Sequence, residues 1–230
     1  MKSALCIIPA RQGSKGLKNK NVKLLANIPL LKYPYIIAKK LNFLEDIVIS
    51  SDSKKYLNII KDKKVIKILR PKKLSSSKSR IIDVIKHTLK NLKKNYEYIL
   101  ILEPTSPLTD YREVNKAFKN LLNKKKDFII SVVSLEKYHP EFALSFDKKM
   151  KVINKKFPKS NNRQSLSKKF FISGNFYIAK TKKLLINKSW ISSNTLGFKI
   201  KTSIHTDIDS YNDFLFAQTI LKNGSFKKIK

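Results

Sequence analysis

The chain of 230 residues is 42% hydrophobic and carries 50 Lys and Arg against 16 Asp and Glu, a formal net charge of +34, which suits one domain with a substantial core. The charge favours a nucleic-acid partner, but the lysines are spread through nearly every segment, and no zinc-finger, RNP-type or homeodomain pattern accompanies them. We therefore expect no specific binding of nucleic acid. The alternative is a noncatalytic basic protein that binds polyanions. No apolar run approaches the roughly 20 residues of a membrane helix and no signal-peptide layout opens the chain, so we expect no membrane segment and a cytoplasmic protein.

Short apolar runs alternate with helical patterns through the first 133 residues. Strands are predicted at 3–9, 46–50, 65–69, 98–102 and 128–133. Helices are predicted at 29–43 with a break or bend near Pro34, and at 53–62, 79–94 and 110–122. The only cysteine, Cys6, falls in the first strand, where we expect a small buried hydrophobe. This alternation predicts a doubly wound α/β fold with a mostly parallel sheet.

The pattern loosens after residue 134. Residues 135–170 contain two prolines, short alternating stretches and many polar residues, which favour an extension or β-arm over another strand-helix unit. The core pattern then resumes, with predicted elements at 170–179 (strand), 180–187 (helix), 198–205 (strand) and 211–222 (helix).

The segment from Arg11 to Asn21 holds two of the five glycines and directly follows the first strand. Glycine in such a glycine-poor chain marks positive φ or a close backbone approach. Its cationic and neutral hydrogen-bonding side chains predict a phosphate-binding loop, although it is neither a Walker sequence nor a dinucleotide fingerprint. An ordinary solvated turn is the alternative.

Four polar segments each follow a predicted strand: 11–21, 50–53, 103–108 and 207–209. Because ligands bind at the carboxyl ends of parallel strands, we expect all four on one rim. Asp207 and Asp209 point to the same side if the chain is extended there, and paired carboxylates in so cationic a chain suit Mg²⁺. The alternative is helix capping, which we assign to Ser210 with Asp213 and in which Asp209 could take part.

Several of these motifs carry a family resemblance. The run from Ile8 to Gly16, followed by Lys20 and Asn21, resembles the signature of the acylneuraminate cytidylyltransferases, or CMP-sialic acid synthetases, including enzymes for related nonulosonic acids. Further matches follow in the same order: Ser50 to Asp52, Arg70 and Pro71 with Leu74, Pro104 to Leu108, Arg163 and Gln164, Gly174 to Ile178, and Asp207 to Asp209.

The resemblance implies a nucleotide-diphospho-sugar transferase-like fold in one nucleotidyltransferase domain over 1–230, with 135–170 as a dimerisation arm of a homodimer. It implies transfer from CTP to an acidic nine-carbon sugar with Mg²⁺ as cofactor. The implied catalytic residues are Arg11, Lys20 and Asp209, and the implied metal ligands are Asp207 and Asp209. The implied nucleotide-binding residues are Ala10, Arg11, Ser14, Lys20, Asn21 and Arg70. The implied sugar-binding residues are Glu103, Arg163 and Tyr177.

The chain departs from the family pattern at four positions. Glu103 stands where glutamine is common, so it points elsewhere, binds a hydroxyl, or meets a different sugar. Ser77, Thr109 and Ser173 replace a common aspartate, arginine and asparagine. A cytidylyltransferase for an eight-carbon acid sugar, or another sugar nucleotidyltransferase, remains an alternative, and Tyr177 is equally interpretable as a buried strand aromatic.

Overall fold

The computed structural model of the chain describes residues 3–13, 16–135, 139–153, 162–200 and 206–222. Its strands are β1 (Ala4–Pro9), β2 (Leu24–Leu25), β3 (Ile28–Pro29), β4 (Leu44–Ser51), β5 (Ile66–Leu69), β6 (Tyr98–Ile101), β7 (Phe128–Ser134), β8 (Phe170–Lys180) and β9 (Thr195–Lys199). Its α-helices are α1 (Lys32–Ala38), α2 (Lys54–Leu57), α3 (Ile81–Leu92), α4 (Tyr111–Asn123), α5 (Thr181–Asn187) and α6 (Tyr211–Lys222).

In this described part of the chain, seven strands form one sheet in the order β5-β4-β1-β6-β8-β7-β9. The pairs β5-β4, β4-β1, β1-β6 and β7-β9 are parallel, and β8 runs antiparallel to both β6 and β7. The predicted doubly wound, mostly parallel α/β fold is therefore confirmed. The reversed direction of β8 brings its amino-terminal end to the same rim as the carboxyl ends of β6 and β7.

Alternate residues of β1 enter two apolar layers. Cys6 and Ile8 join the layer that contains Phe118 of α4, whereas Leu5 and Ile7 join the layer on the other face of the sheet. The ring of Phe118 stacks on that of Phe43 with centroids 4.0 Å apart. The thiol of Cys6 is fully buried, and burial raises its pKa, as expected of an inert core cysteine.

Three predicted elements differ from the structure. The helix expected at 29–43 is only α1, and Pro34 lies in its first turn, where proline needs no bend. The chain before it forms the β2-β3 hairpin, whose connecting residues Ala26 and Asn27 both have positive φ. The helix expected at 53–62 shrinks to the four residues of α2, and the strand expected at 198–205 is β9, with 201–205 outside the described residues.

The predicted arm is described in part. Residues 139–153 contain a 3-10 turn (Pro140–Phe142) and a small hairpin in which Phe146 and Val152 form an isolated antiparallel bridge. Residues Arg163–Ser165 form another 3-10 turn before β8. The role of the arm at 135–170 in dimerisation stays a prediction. Among the described residues, every helix is too short or too polar to cross a membrane.

Candidate functional site

A cleft of about 390 Å³ opens at the rim where β1, β5 and β6 end. It gathers residues that the sequence places far apart, and the predicted site residues on its walls are Arg11, Lys20, Asn21, Arg70, Glu103, Asp207 and Asp209. The structure thus brings the amino-terminal loop and the acidic pair near the carboxyl end into one site.

Gly16 is required by close packing. A Cβ atom at Gly16 would lie 2.3 Å from the backbone oxygen of Asp209, a distance that no real side chain tolerates. At Gly13 a Cβ atom would meet nothing within 4 Å. The amino-terminal loop therefore lies directly on the segment that carries the acidic pair, and of the two glycines only Gly16 is explained by this contact.

Internal hydrogen bonds hold the loop. The amide of Gln12 donates to Oδ1 of Asp52 at 2.9 Å, and Nδ2 of the buried Asn21 donates to the carbonyl of Arg11 at 2.8 Å. The amide of Ala10 donates to the carbonyl of Ser50, and its side chain is fully buried. Ala10 and Asn21 thus shape the loop through these bonds. Ser14 lies outside the described residues.

Arg70 is a buried cation in the wall of the cleft. It is 5% exposed, and its Nε donates to Oγ of Ser75 at 2.8 Å. Burial lowers the pKa of the guanidinium and the nearby charge of Asp52 opposes that change, so the group stays charged near neutral pH. Beyond it the wall is formed by hydroxyl and apolar side chains, namely Leu74, Ser76, Ser77, Ser79, Ile81 and Val84.

Lys20 and Asp209 meet across the cleft. Nζ of Lys20 lies 2.7 Å from Oδ1 of Asp209, and the lysine side chain is 11% exposed while the aspartate is 78% exposed. Asp213 accepts hydrogen bonds from the amides of Asp209 and Ser210 and from the hydroxyl of Ser210. Asp213 thus caps α6 as expected, which leaves the carboxylate of Asp209 facing the cleft.

Asp207 is held beside the loop that follows β6. The amide of Ile208 donates to the carbonyl of Thr105 at 2.8 Å. Gly174 has a φ of 75°, and a Cβ atom there would lie 3.5 Å from Oδ2 of Asp207 and 3.7 Å from Oγ of Ser106. These would be ordinary van der Waals contacts, so the left-handed backbone is what favours glycine at this position.

Glu103 lines the same end of the cleft. Oγ1 of Thr105 donates to its carboxylate at 3.5 Å. Burial raises the pKa of Glu103 to about 7; the charge of Asp207 adds to the rise, and the ammonium of Lys20 opposes it. Oxygen acceptors thus dominate this end, whereas cations dominate the other. Among the described residues, no three His, Cys, Asp or Glu side chains are grouped closely enough to hold a metal by themselves.

Of the other two predicted sugar contacts, Tyr177 is not among the described residues that line this cleft. Tyr177 packs against Trp190 with ring centroids 5.3 Å apart, and burial, followed by the charges of Glu103 and Asp207, raises its pKa to about 12. This placement favours the buried strand aromatic. The backbone of Arg163 lies between Asn162 and Gln164, which line a second cleft of about 610 Å³, while its side chain is outside what the structure describes.

Sequence reasoning omitted two parts of the site. Asp52, which anchors the loop through Gln12, stands in a motif noted after β4 but was given no role, because its partner lies 40 residues away. The serine wall at 76–79 was noted only through Ser77, which replaces a common aspartate of the family, and its serines were given no role because serine is common in solvated turns.

Comparisons with known proteins agree with this geometry. Residues 5–185 match the family model described as cytidylyltransferase. The chain is 29% identical over 213 residues to an N-acylneuraminate cytidylyltransferase of Streptococcus agalactiae, a match that covers 92% of the chain and 51% of that protein. It is 30% identical over 232 residues to post-translational flagellin modification protein B of Campylobacter coli, with 99% of the chain and 98% of that protein covered.

A solved structure shares the fold over nearly its whole length. It is CMP:2-keto-3-deoxy-manno-octonic acid synthetase complexed with CTP, with a TM-score of 0.73, 13% sequence identity, and coverage of 96% of this chain and 99% of that chain. The chain spans about half the length of the first curated relatives it matches.

Gly16→Ala is expected to lower the free energy of unfolding by about 1–3 kcal/mol, because the new methyl group forces the loop away from the carbonyl of Asp209. Gly13→Ala is the matched control, with an expected change within about 0.5 kcal/mol. Urea titration of both variants measures the difference. Equal losses would contradict the packing assigned to Gly16.

Glu103→Gln is expected to change how stability depends on pH. Because the pKa of this carboxyl rises on folding from 4.5 to about 7, the folded state binds the proton more tightly, and wild-type stability falls as pH rises through that interval. The glutamine variant lacks this loss and should exceed wild type above pH 7 by at most about 3 kcal/mol, at 1.36 kcal/mol per pH unit. Urea titrations at pH 5 and pH 8 in EDTA test this; a difference that does not grow with pH would contradict it.

Proposed function

The chain belongs to the cytidylyltransferase family, and on that premise we propose that it transfers a cytidylyl group from CTP to a nonulosonic, sialic-type acid and releases pyrophosphate. The observation that carries the proposal is the cleft in which Arg11 and Lys20 face Asp207 and Asp209. The relatives named N-acylneuraminate cytidylyltransferase support an acidic nine-carbon sugar as acceptor. Because CTP is a cytoplasmic nucleotide, we expect the protein to act in the cytoplasm.

The chemistry requires positioning and charge neutralisation more than covalent participation by the protein. The anomeric hydroxyl oxygen of the sugar acid bonds to the α-phosphorus of CTP and gives up its proton, while the bond from that phosphorus to the bridging oxygen breaks and pyrophosphate leaves with its electrons. Arg11, Lys20 and Arg70 lie where they would neutralise the triphosphate. The serine wall at 76–79 would then face the nucleoside.

Asp207 and Asp209 fit a Mg²⁺ ion that is completed by substrate. Both carboxylates border the cleft, and Mg²⁺ in nucleotide sites takes one or two carboxylates together with phosphate oxygens and water. When bound, the ion would neutralise phosphate charge and increase the acidity of a bound hydroxyl.

At the acidic end, Glu103 would meet the sugar. A carboxylate repels the carboxylate of a sugar acid but accepts a hydrogen bond from a hydroxyl or an acylamino N–H. We therefore assign Glu103 to a donor group of the sugar. Arg163 is proposed as partner of the sugar carboxylate on the basis of the family motif, since guanidinium and carboxylate pair in a bidentate manner.

We also propose a homodimer built on the arm at 135–170. The described part of the arm and the start of β8 expose a group of large apolar side chains that a monomer would leave in water. They are Leu144, Phe146, Met150, Ile153, Phe170 and Phe171. A second copy of the chain would cover them.

Pyrophosphate release tests the activity. With Mg²⁺, CTP should give release above that of the three other nucleoside triphosphates, and only when an acid sugar is present. The acceptors are N-acetylneuraminic acid, other nine-carbon nonulosonic acids, and the eight-carbon 2-keto-3-deoxy-manno-octonic acid. EDTA should abolish release. If CTP gave no release with any acceptor, the enzyme proposal would be wrong, and a preference for the eight-carbon acid would favour the alternative substrate.

Sedimentation velocity tests the dimer. The double variant Phe146→Asp with Ile153→Asp should shift the protein from dimer to monomer, because two charges would be buried against the partner. Ile186→Asp, at a more exposed apolar position on α5, should leave the dimer unchanged. A wild-type protein that sediments as a monomer would overturn this assembly.

A further inference from the structure

Lys20 and Asp209 form an ion pair with each other, although each of them is also proposed to bind a different ligand. Nζ lies 2.7 Å from Oδ1, within the range of a charge-assisted hydrogen bond. Under the proposed function, Lys20 is needed by the triphosphate and Asp209 by the divalent cation. Neither group can serve its ligand fully while it is paired with the other.

The backbone on both sides of the pair is fixed. Lys20 is the first residue of a 3-10 turn, and its amide donates to the carbonyl of Leu17. Gly16 is packed against the carbonyl of Asp209. The amide of Asp209 is in turn held by the carboxylate of Asp213 at 3.1 Å. The pair can therefore open by movement of the two side chains without separating the two segments.

Lys20 is also a cation that lies among the acidic side chains at this end of the cleft. Its side chain is 11% exposed, whereas that of Asp209 is 78% exposed, so loss of the partner matters more for the lysine. Burial and the charge of Asp207 raise the pKa of Glu103, and the ammonium of Lys20 acts against both. Drawing Lys20 toward a phosphate leaves this acidic end in need of another cation.

From this geometry we propose that the Lys20–Asp209 pair makes nucleotide binding and divalent-cation binding depend on each other. The inference rests on the proposed function and concerns the regulation of that same site. Either ligand alone must break the pair and leave one charge without a partner, whereas both together provide each charge with a new partner. By linkage, each ligand strengthens the other by the same factor, and we expect the part due to this pair to be about fivefold.

A double-mutant cycle on CTP affinity isolates the pair. In EDTA, titration calorimetry should show that Asp209→Asn tightens CTP binding by about fivefold, because Lys20 is released. In the Lys20→Gln background, the same substitution should change the CTP dissociation constant less than twofold, since no pair remains to be broken. An equal gain in both backgrounds would mean that removal of a negative charge is sufficient, and would overturn the proposal.

Metal affinity without nucleotide gives the second arm. Mn²⁺, followed by its electron paramagnetic resonance signal, should bind about fivefold more tightly to Lys20→Gln than to wild type, because Asp209 is freed. Lys23→Gln is the matched control, since Lys23 lies over the rings of Tyr211 and Phe214 and outside the lining of the cleft. No gain in Lys20→Gln, or an equal gain in Lys23→Gln, would overturn the proposal.

The two failures are distinguishable. If the wild type binds CTP selectively but Asp209→Asn has the same effect with Lys20 as without it, the coupling is rejected and the proposed function stands. Absence of CTP binding by the wild type, with a folded protein shown by circular dichroism, would reject both.

Discussion

The contact between the amino-terminal loop and the segment around Asp209 closes the site on which the rest depends. It joins residues that are 189 positions apart, through one ion pair and through a backbone approach that only glycine permits. Because the loop follows β1, at the middle of the parallel half of the sheet, every other wall of the cleft is positioned relative to it. The sheet supplies a rigid edge, and this contact holds the segment that carries Asp207 and Asp209 against the loop at that edge.

Charge within the cleft is ordered although the chain as a whole is heavily cationic. Arg11 and Arg70 occupy one side, while Glu103, Asp207 and Asp209 gather around Lys20 on the other. Burial first and the charge of Asp207 second raise the pKa of Glu103, and the ammonium of Lys20 opposes both. A site with this arrangement suits a ligand that brings both negative charge and a metal ion.

Local sequence pattern was enough to predict most of the sheet and the rim. Buried apolar runs revealed β1 and β6, and the rule that ligands meet the carboxyl ends of parallel strands led to Lys20 and Asp207 in one cleft. The β2-β3 hairpin was missed because its turn uses Ala26 and Asn27 in left-handed backbone without a glycine. The shortness of α2 was missed because long-range packing decides it, and periodicity within one segment does not report it.

The antiparallel course of β8 has a wider consequence. The chain leaves β7 and enters β8 at the rim of the sheet that bears the cleft. The 35 residues between Ser134 and Phe170 therefore begin and end at this rim. Because the ladder between β7 and β8 ends at Ser134 and Phe170, a longer or shorter excursion would leave its bonds in place. Leu135, His139 and Gln164 of this stretch line the second cleft, so a change of length here would reshape that cleft while β1 keeps its register with β4 and β6.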